Sequence, residues 1–210
     1  HPDIDNIVLV DPNMESSAAD GLEFISADEL NWMDTGAAFI CPPNNVTARL
    51  CIEALENCGN VFCEKPPGRS WEEFSAIVRQ AERIPDHRLV FGFNHRLHPA
   101  VQAAKTLIGD GGVGDIVYIK GPYGKSGGSR YRDSWRNDRD VSGGGILLDQ
   151  GIHMLDIFRF FLGELSLVDA VLRDSFWQCG VEDNAFVLLQ SQERVPAFLH
   201  SSATLWKHTF

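Results

Sequence analysis

Cationic residues are in short supply in this sequence: 18 Lys and Arg stand against 29 Asp and Glu, for a formal net charge of −11. Nucleic acid and anionic membrane surfaces both demand a net basic footprint, so neither is expected as a partner. No apolar run approaches the roughly 18 residues of a membrane-spanning helix, and no bilayer role is expected. The five cysteines, Cys41, Cys51, Cys58, Cys63 and Cys179, form no Cys-x-x-Cys pair. An odd count without short paired spacings gives neither a disulfide framework nor a structural zinc site. Reduced thiols in a cytoplasmic protein with no bound metal are the expectation. Internal repeats and low-complexity tracts are also absent. What remains is an ordinary apolar content of 44% over 210 residues, enough for one or two compact domains with a real core.

The first half alternates two patterns. Asn6–Val10, Ala37–Cys41, Asn60–Cys63 and Arg88–Phe93 are short apolar runs that read as buried strands. Each is stopped by polar or turn-forming residues: Asp11, Pro42-Pro43-Asn44, Glu64-Lys65-Pro66 and Asn94-His95-Arg96. Between them, Thr47–Glu56 reads as a helix closed by Gly59. A second helix runs from Trp71 to about Arg83, with Ser70 as N-cap and Glu73 completing a capping box. Strand–helix–strand repetition predicts a parallel sheet with helices packed on it, and ligands of such sheets bind beyond the carboxyl ends of the strands. Four polar strand ends are therefore expected to converge on one crevice.

The composition changes after Gly109. Twelve of the 19 glycines fall between Gly109 and Gly151. A strand is expected at Ile116–Lys120, a long polar loop over Gly121–Ser142, and a strongly apolar helix over Gly145–Phe161. Ala170–Leu172, Ala185–Leu189 and Val195–His200 read as strands of an antiparallel sheet. The fold class is thus α/β, with a parallel-sheet domain over 1–95 followed by a second α/β domain over 96–210.

Three constellations carry candidate chemistry. Asp149, His153 and Asp156 interrupt the apolar helix at spacings that share one face. Asp149 is positioned to accept from His153, fix its tautomer and raise its basicity. A satisfied core His–Asp pair or half of a metal site is the plainer reading. Gly143-Gly144-Gly145 lets a ligand or another backbone approach the start of this helix, whose N-terminus favours polar oxygens. Lys65 ends a buried strand in the crevice mouth, where its ammonium can hold an oxyanion; a solvated loop lysine is the alternative. Lys120, Lys125, Arg130, Arg132, Arg136 and Arg139, interleaved with Tyr123, Tyr131 and Trp135, place six of the 18 cations within 20 positions. Such a loop suits a sugar, a carboxylate or a nucleotide diphosphate, or else lies solvated at a subunit contact.

Taken in order, Cys41-Pro42-Pro43-Asn44, Cys63-Glu64-Lys65-Pro66, Gly92-Phe93-Asn94-His95-Arg96, Val113-Gly114-Asp115-Ile116 and the run from Gly143 to Asp156 resemble the Gfo/Idh/MocA family of NAD(P)-dependent sugar and polyol oxidoreductases. The resemblance implies a Rossmann domain and a C-terminal domain built on a large open antiparallel sheet, which commonly joins subunits into a homodimer or homotetramer. It implies Lys65 as catalytic lysine, His153 as acid/base and Asp149 as its companion. Asp11 would hold the adenosine ribose of NAD, with NADP disfavoured by its charge. Cys41, Pro42, Pro43, Asn44, Glu64, Lys65, Pro66 and Asn94 would line the cofactor. Arg96, Tyr123, Arg130, Trp135 and Arg136 are the substrate-side candidates. Relatives that use NAD in a transient oxidation as glycosidases, or that act as non-catalytic sugar- or NAD-binding regulators, supply the alternatives. Two departures stand out. Val46 replaces a histidine often found two positions after Asn44, and the Gly-rich phosphate turn has no counterpart ahead of Asp11. On the family's order, the chain is expected to be part of a longer protein extending beyond His1 and Phe210.

Overall fold

The computed structural model of the chain describes residues 4, 6–11 and 23–210. Two short parallel strands, β1 (Val8–Val10) and β2 (Glu23–Ile25), pair with each other. β3 (Ala38–Ile40), β4 (Asn60–Cys63) and β5 (Arg88–Phe91) form a parallel sheet in that order. The crossovers are α1 (Asn44–Asn57) and α2 (Trp71–Arg83). Alternation does the sorting: Ala38, Ile40, Val61 and Cys63 turn to one face and pack on Cys51, Ala54 and Leu55 of α1 and Ile77 of α2. On the other face Phe39 and Val90 are 72% and 56% exposed. The expected capping box at α2 is half made. Glu73 N–H donates to Ser70 Oγ, whereas the Glu73 carboxylate reaches past Ser70 to the Arg69 N–H and guanidinium.

A 3-10 turn at Asn94–Leu97 leads into α3 (Pro99–Gly109), a helix for which the sequence reading had no counterpart. The next strand, β6, runs over Ile119–Gly124 rather than Ile116–Lys120. Its partner sets this: β9 (Pro196–Ser202) faces it from Ile119 to Gly124, so residues 116–118 have nothing to pair with. The Gly-Pro-x-Gly run inside β6 looks like a breaker, yet Gly121 is required by packing: a Cβ there would lie 2.5 Å from Met154. β7 (Leu165–Arg173) and β8 (Asn184–Ser191) complete a sheet ordered β6-β9-β8-β7. β7–β8 and β8–β9 are antiparallel and β6–β9 is parallel, so the sheet is mixed rather than wholly antiparallel.

The helix expected at 145–161 is a π-helical turn (Leu147–Gly151) continued by α4 (Ile152–Leu162). Its Met154, Ile157 and Phe158 pack on Val187, Leu189, Ala197 and Leu199, forming the second core. Gly143 and Gly145 admit neighbouring backbone, while Gly144 stands open to the strand-end cleft. A Cβ at Gly145 would sit 2.0 Å from the Glu182 carbonyl oxygen, and one at Gly143 (φ +82°) 2.4 Å from Arg69. The start of the π turn is likewise closed by protein: Ile146 N–H donates to the Glu182 carbonyl and Leu147 N–H to its carboxylate. Buried Asn44 donates to the Ser142 carbonyl at 2.8 Å, tying α1 to this segment.

Candidate active site

The register of the parallel sheet brings the strand ends together. Ile40 pairs with Cys63 and Cys63 with Phe91, so residues 41–44, 64–66 and 92–95 leave the sheet at one edge. Glu64 N–H bonds to the Ile40 carbonyl and Gly92 N–H to the Cys63 carbonyl, each at 2.9 Å. Gly92 lets the Glu64 carboxylate lie close, because a Cβ there would sit 2.9 Å from it and the carboxylate would have to shift. Glu64 in turn accepts from the Lys65 N–H, which holds the start of the Lys65 loop against this edge.

Lys65 crosses to the second half of the chain. Its ammonium donates to the backbone carbonyl of Asp149 at 2.6 Å and lies 3.6 Å from the Asp149 carboxylate. That carboxylate also meets Lys125 at 3.1 Å and Arg136 at 3.5 Å. Burial would raise the Asp149 pKa, but Lys125, Lys65 and Arg136 outweigh it and hold the group below its ordinary value. Burial pushes Lys65 downward, helped by Arg136 and opposed by Asp149. Asp149 is therefore a shared anchor for three cations, not the hydrogen-bond partner of His153. The π turn separates the two roles within one helix.

His153 is 6% exposed, and its Nδ1 has no hydrogen-bond partner among the described residues. Its ring lies 4.0 Å from that of His95, with Phe93 edge-on at 6.3 Å and Tyr123 at 6.1 Å. Burial first, then the Lys65 and His95 charges, bring its pKa down to about 3. His95 is also pushed down, by burial and Lys65, and shares hydrogen bonds with Asn94 (2.9 Å) and the Tyr123 hydroxyl (3.4 Å). His95 belongs to the polar strand end Asn94-His95-Arg96 expected at the crevice, with no role of its own there; the structure sets its ring against that of His153. Lys125 was one cation among six in the sequence reading, and the structure sets it on Asp149. Asp156, the third polar residue of the helix, faces away to Arg96 in a bidentate pair at 2.5 and 2.6 Å, with Arg96 over the Phe160 ring. Arg96 is thereby committed to holding α4 and lines neither hollow described next.

Two hollows meet at Asp149 and Arg136. One, about 310 Å³, lies at the strand ends and is lined by Cys41, Pro42, Pro43, Asn44, Glu64, Lys65 and Pro66, with Trp135 and Ser142 opposite. The other, about 340 Å³, lies inside the 125–146 segment between Lys125, Arg130, Tyr131, Ser134, Asn137 and Ile146. Trp135 stacks under Arg136 at 4.3 Å on the wall between them. Asp11 follows β1 at the surface, and Asn94 and Tyr123 sit with His95 and His153 rather than in either lining. Among the described residues no group of three His, Cys, Asp or Glu is placed to hold a metal, and no helix is long and apolar enough to cross a membrane.

Residues 101–209 match the model of the GFO/IDH/MocA C-terminal domain. Levoglucosan dehydrogenase of Pseudarthrobacter phenanthrenivorans is 33% identical over 162 residues, covering 75% of this chain and 40% of that protein. Inositol 2-dehydrogenase of Rhizobium meliloti is 31% identical over 175 residues, covering 80% and 51%. A solved levoglucosan dehydrogenase in complex with NADH and levoglucosan superposes with a TM-score of 0.79 at 27% identity, over 90% of this chain and 55% of that one. The chain spans about half the length of the curated relatives it matches.

Proposed function

The chain belongs to the GFO/IDH/MocA family, and from that premise we propose that it carries the reacting centre of an NAD-dependent oxidoreductase. The reaction moves a hydride between nicotinamide and a secondary alcohol or ketone of a sugar, cyclitol or nucleotide sugar. The observation that carries this reading is the bond of the Lys65 ammonium to residue 149 where the two hollows join, with buried His153 beside them, near enough for the Lys65 charge to lower its pKa. Relatives named as sugar and cyclitol dehydrogenases support the substrate class.

The strand-end hollow fits the cofactor by its position, since open α/β sheets take nucleotides at the carboxyl ends of their strands. Cys41, Pro42, Pro43, Asn44, Glu64, Lys65 and Pro66 would hold it. Asp11 would accept from the adenosine ribose, and its charge disfavours a 2′-phosphate, hence NAD over NADP. When bound, NAD supplies the hydride acceptor. The chain supplies the rest. Lys65, fixed by the Asp149 carbonyl, offers its ammonium to the substrate oxygen as negative charge develops there. His153, neutral in its buried site, takes the hydroxyl proton. A negative oxygen arriving beside Lys65 offsets the charge that depresses His153, so the imidazole gains basicity as the transfer needs it.

Residues 1–95 would then serve the cofactor and 96–210 the substrate and self-association. A homodimer or homotetramer through the outer face of β7–β9 is supported by Val171, Phe186 and Phe198, exposed there by 40%, 46% and 44%. A cytoplasmic setting is supported by five cysteines free of disulfides. The test is a screen of sugars and cyclitols followed by NADH absorbance, with NAD and NADP compared. His153→Ala is expected to lower turnover about 10²–10⁴-fold while NADH still binds. Normal turnover in that variant overturns the assignment of the base.

A further inference from the structure

The loop-built hollow holds more positive charge than its own carboxylate can balance. Lys125, Arg130 and Arg136 line it against Asp149 alone. That single carboxylate is already shared with Lys65 at 3.6 Å from the neighbouring hollow. Arg130 forms no ion pair among the described residues and stands exposed at the rim. The whole chain carries −11, so a cationic cleft here is a local reversal of sign. A cleft of one sign in a protein of the other concentrates ligands of opposite charge and repels none of them locally. The hollow, at about 340 Å³, is near the lower end of ordinary ligand sites, about 300–1,000 Å³, and suits a single ring. The Ser134 hydroxyl and the Asp149 carboxylate on the same wall suit ring hydroxyls.

We propose that the substrate of this site is a polyhydroxylated ring bearing one anionic group, a carboxylate or a phosphate, and that Arg130 takes that group at the rim. A guanidinium matches either anion with two parallel N–H donors. The ring would lie between this contact and Lys65, so the anion fixes which hydroxyl faces the reacting centre. The proposal rests on the oxidoreductase reading for the fate of the ring, and on the cation excess for its charge.

The test separates the two. Calorimetry with NADH present measures binding of a hexuronate, a hexose 6-phosphate and the unsubstituted hexose, without any need for turnover. The charged sugars are expected to bind at least tenfold tighter than the hexose, with affinity falling as salt is raised. Arg130→Ala is expected to cost the charged sugars about 10- to 100-fold, far more than it costs the hexose or NADH, and Arg130→Lys to restore part of the loss. The preferred member of the charged pair says whether a carboxylate or a phosphate is read. Arg130-dependent binding without turnover of any sugar would keep this inference and overturn the oxidoreductase. Turnover of neutral sugars with no preference for the charged ones, or an equal loss for all ligands in Arg130→Ala, would overturn this inference and keep the oxidoreductase.

Discussion

The two hollows that meet at Asp149 are built by opposite means. The strand-end hollow is made by regular structure: three parallel strands stop in register, and the chain turns away through Pro42-Pro43 and Lys65-Pro66 at one edge. The loop-built hollow owes little to repeating hydrogen bonds. Short turns over 131–133 and 135–137 enclose it, Asn137 bonds to the Tyr131 carbonyl, and Tyr131 packs with Ile146 and Ala203. The first is held mostly by backbone, and its charges balance, Glu64 and Asp149 against Lys65 and Arg136; the second is held by side chains, and its cations Lys125, Arg130 and Arg136 outnumber Asp149. A site whose walls come from periodic structure tolerates change in its side chains, whereas one walled by a loop depends on each of a few contacts.

Asp149→Ala is the substitution expected to break the distinction, because it removes a carboxylate that both walls use. Lys65, Lys125 and Arg136 would lose their common partner. Removing one member of a buried charge cluster costs about 3–5 kcal/mol, and the partial exposure here places the loss near the lower figure. Denaturant melts should show it, together with weakened ligand binding on both sides. Gly145→Ala sharpens the distinction instead. Its methyl would press on the Glu182 backbone, an overpacking that costs about 1–3 kcal/mol and displaces the start of the π turn. Sugar binding should fall in this variant while NADH affinity changes little; equal damage to both would show that the hollows are one unit.

Over the mildly acidic range, the first unit or so below about pH 6.5, the effect of pH is the smallest. His153 has its pKa lowered by burial and by Lys65 and His95 to about 3, against about 6.5 when unfolded. The unfolded chain therefore binds the extra proton first as pH falls, so His153 contributes stability above about pH 6.5 that drains away between there and pH 3. Asp149, also held below its ordinary value, adds a loss of the same sign at lower pH, as pH falls through its folded pKa. Melting temperature should decline on acidification below about pH 6.5, and less steeply in His153→Gln.

The same difference decided what could be read from the sequence. β3, β4, β5, α1 and α2 follow from apolar period and turn residues, and with them the strand-end residues of the site. Local pattern failed where a distant partner rules. β6 begins where β9 begins to face it, and Gly121 serves the packing of Met154 rather than a turn. The i to i+4 spacing of Asp149 and His153 suggested a bond between them, but a π turn lies between, and three cations from elsewhere claim the carboxylate. Lys125 and Lys65 are 24 and 84 residues from Asp149, separations no helical period encodes.

The bond from the Lys65 ammonium to the carbonyl of residue 149 belongs to the main chain. Every natural amino acid brings that oxygen, so side-chain replacement at 149 changes the charge around the lysine while leaving its tether in place. A mutational scan would be blind to this contact, and only an ester in place of the amide would weaken it. A change at residue 149 thus costs the site its carboxylate and the balance of three cations, but not the hold on the lysine.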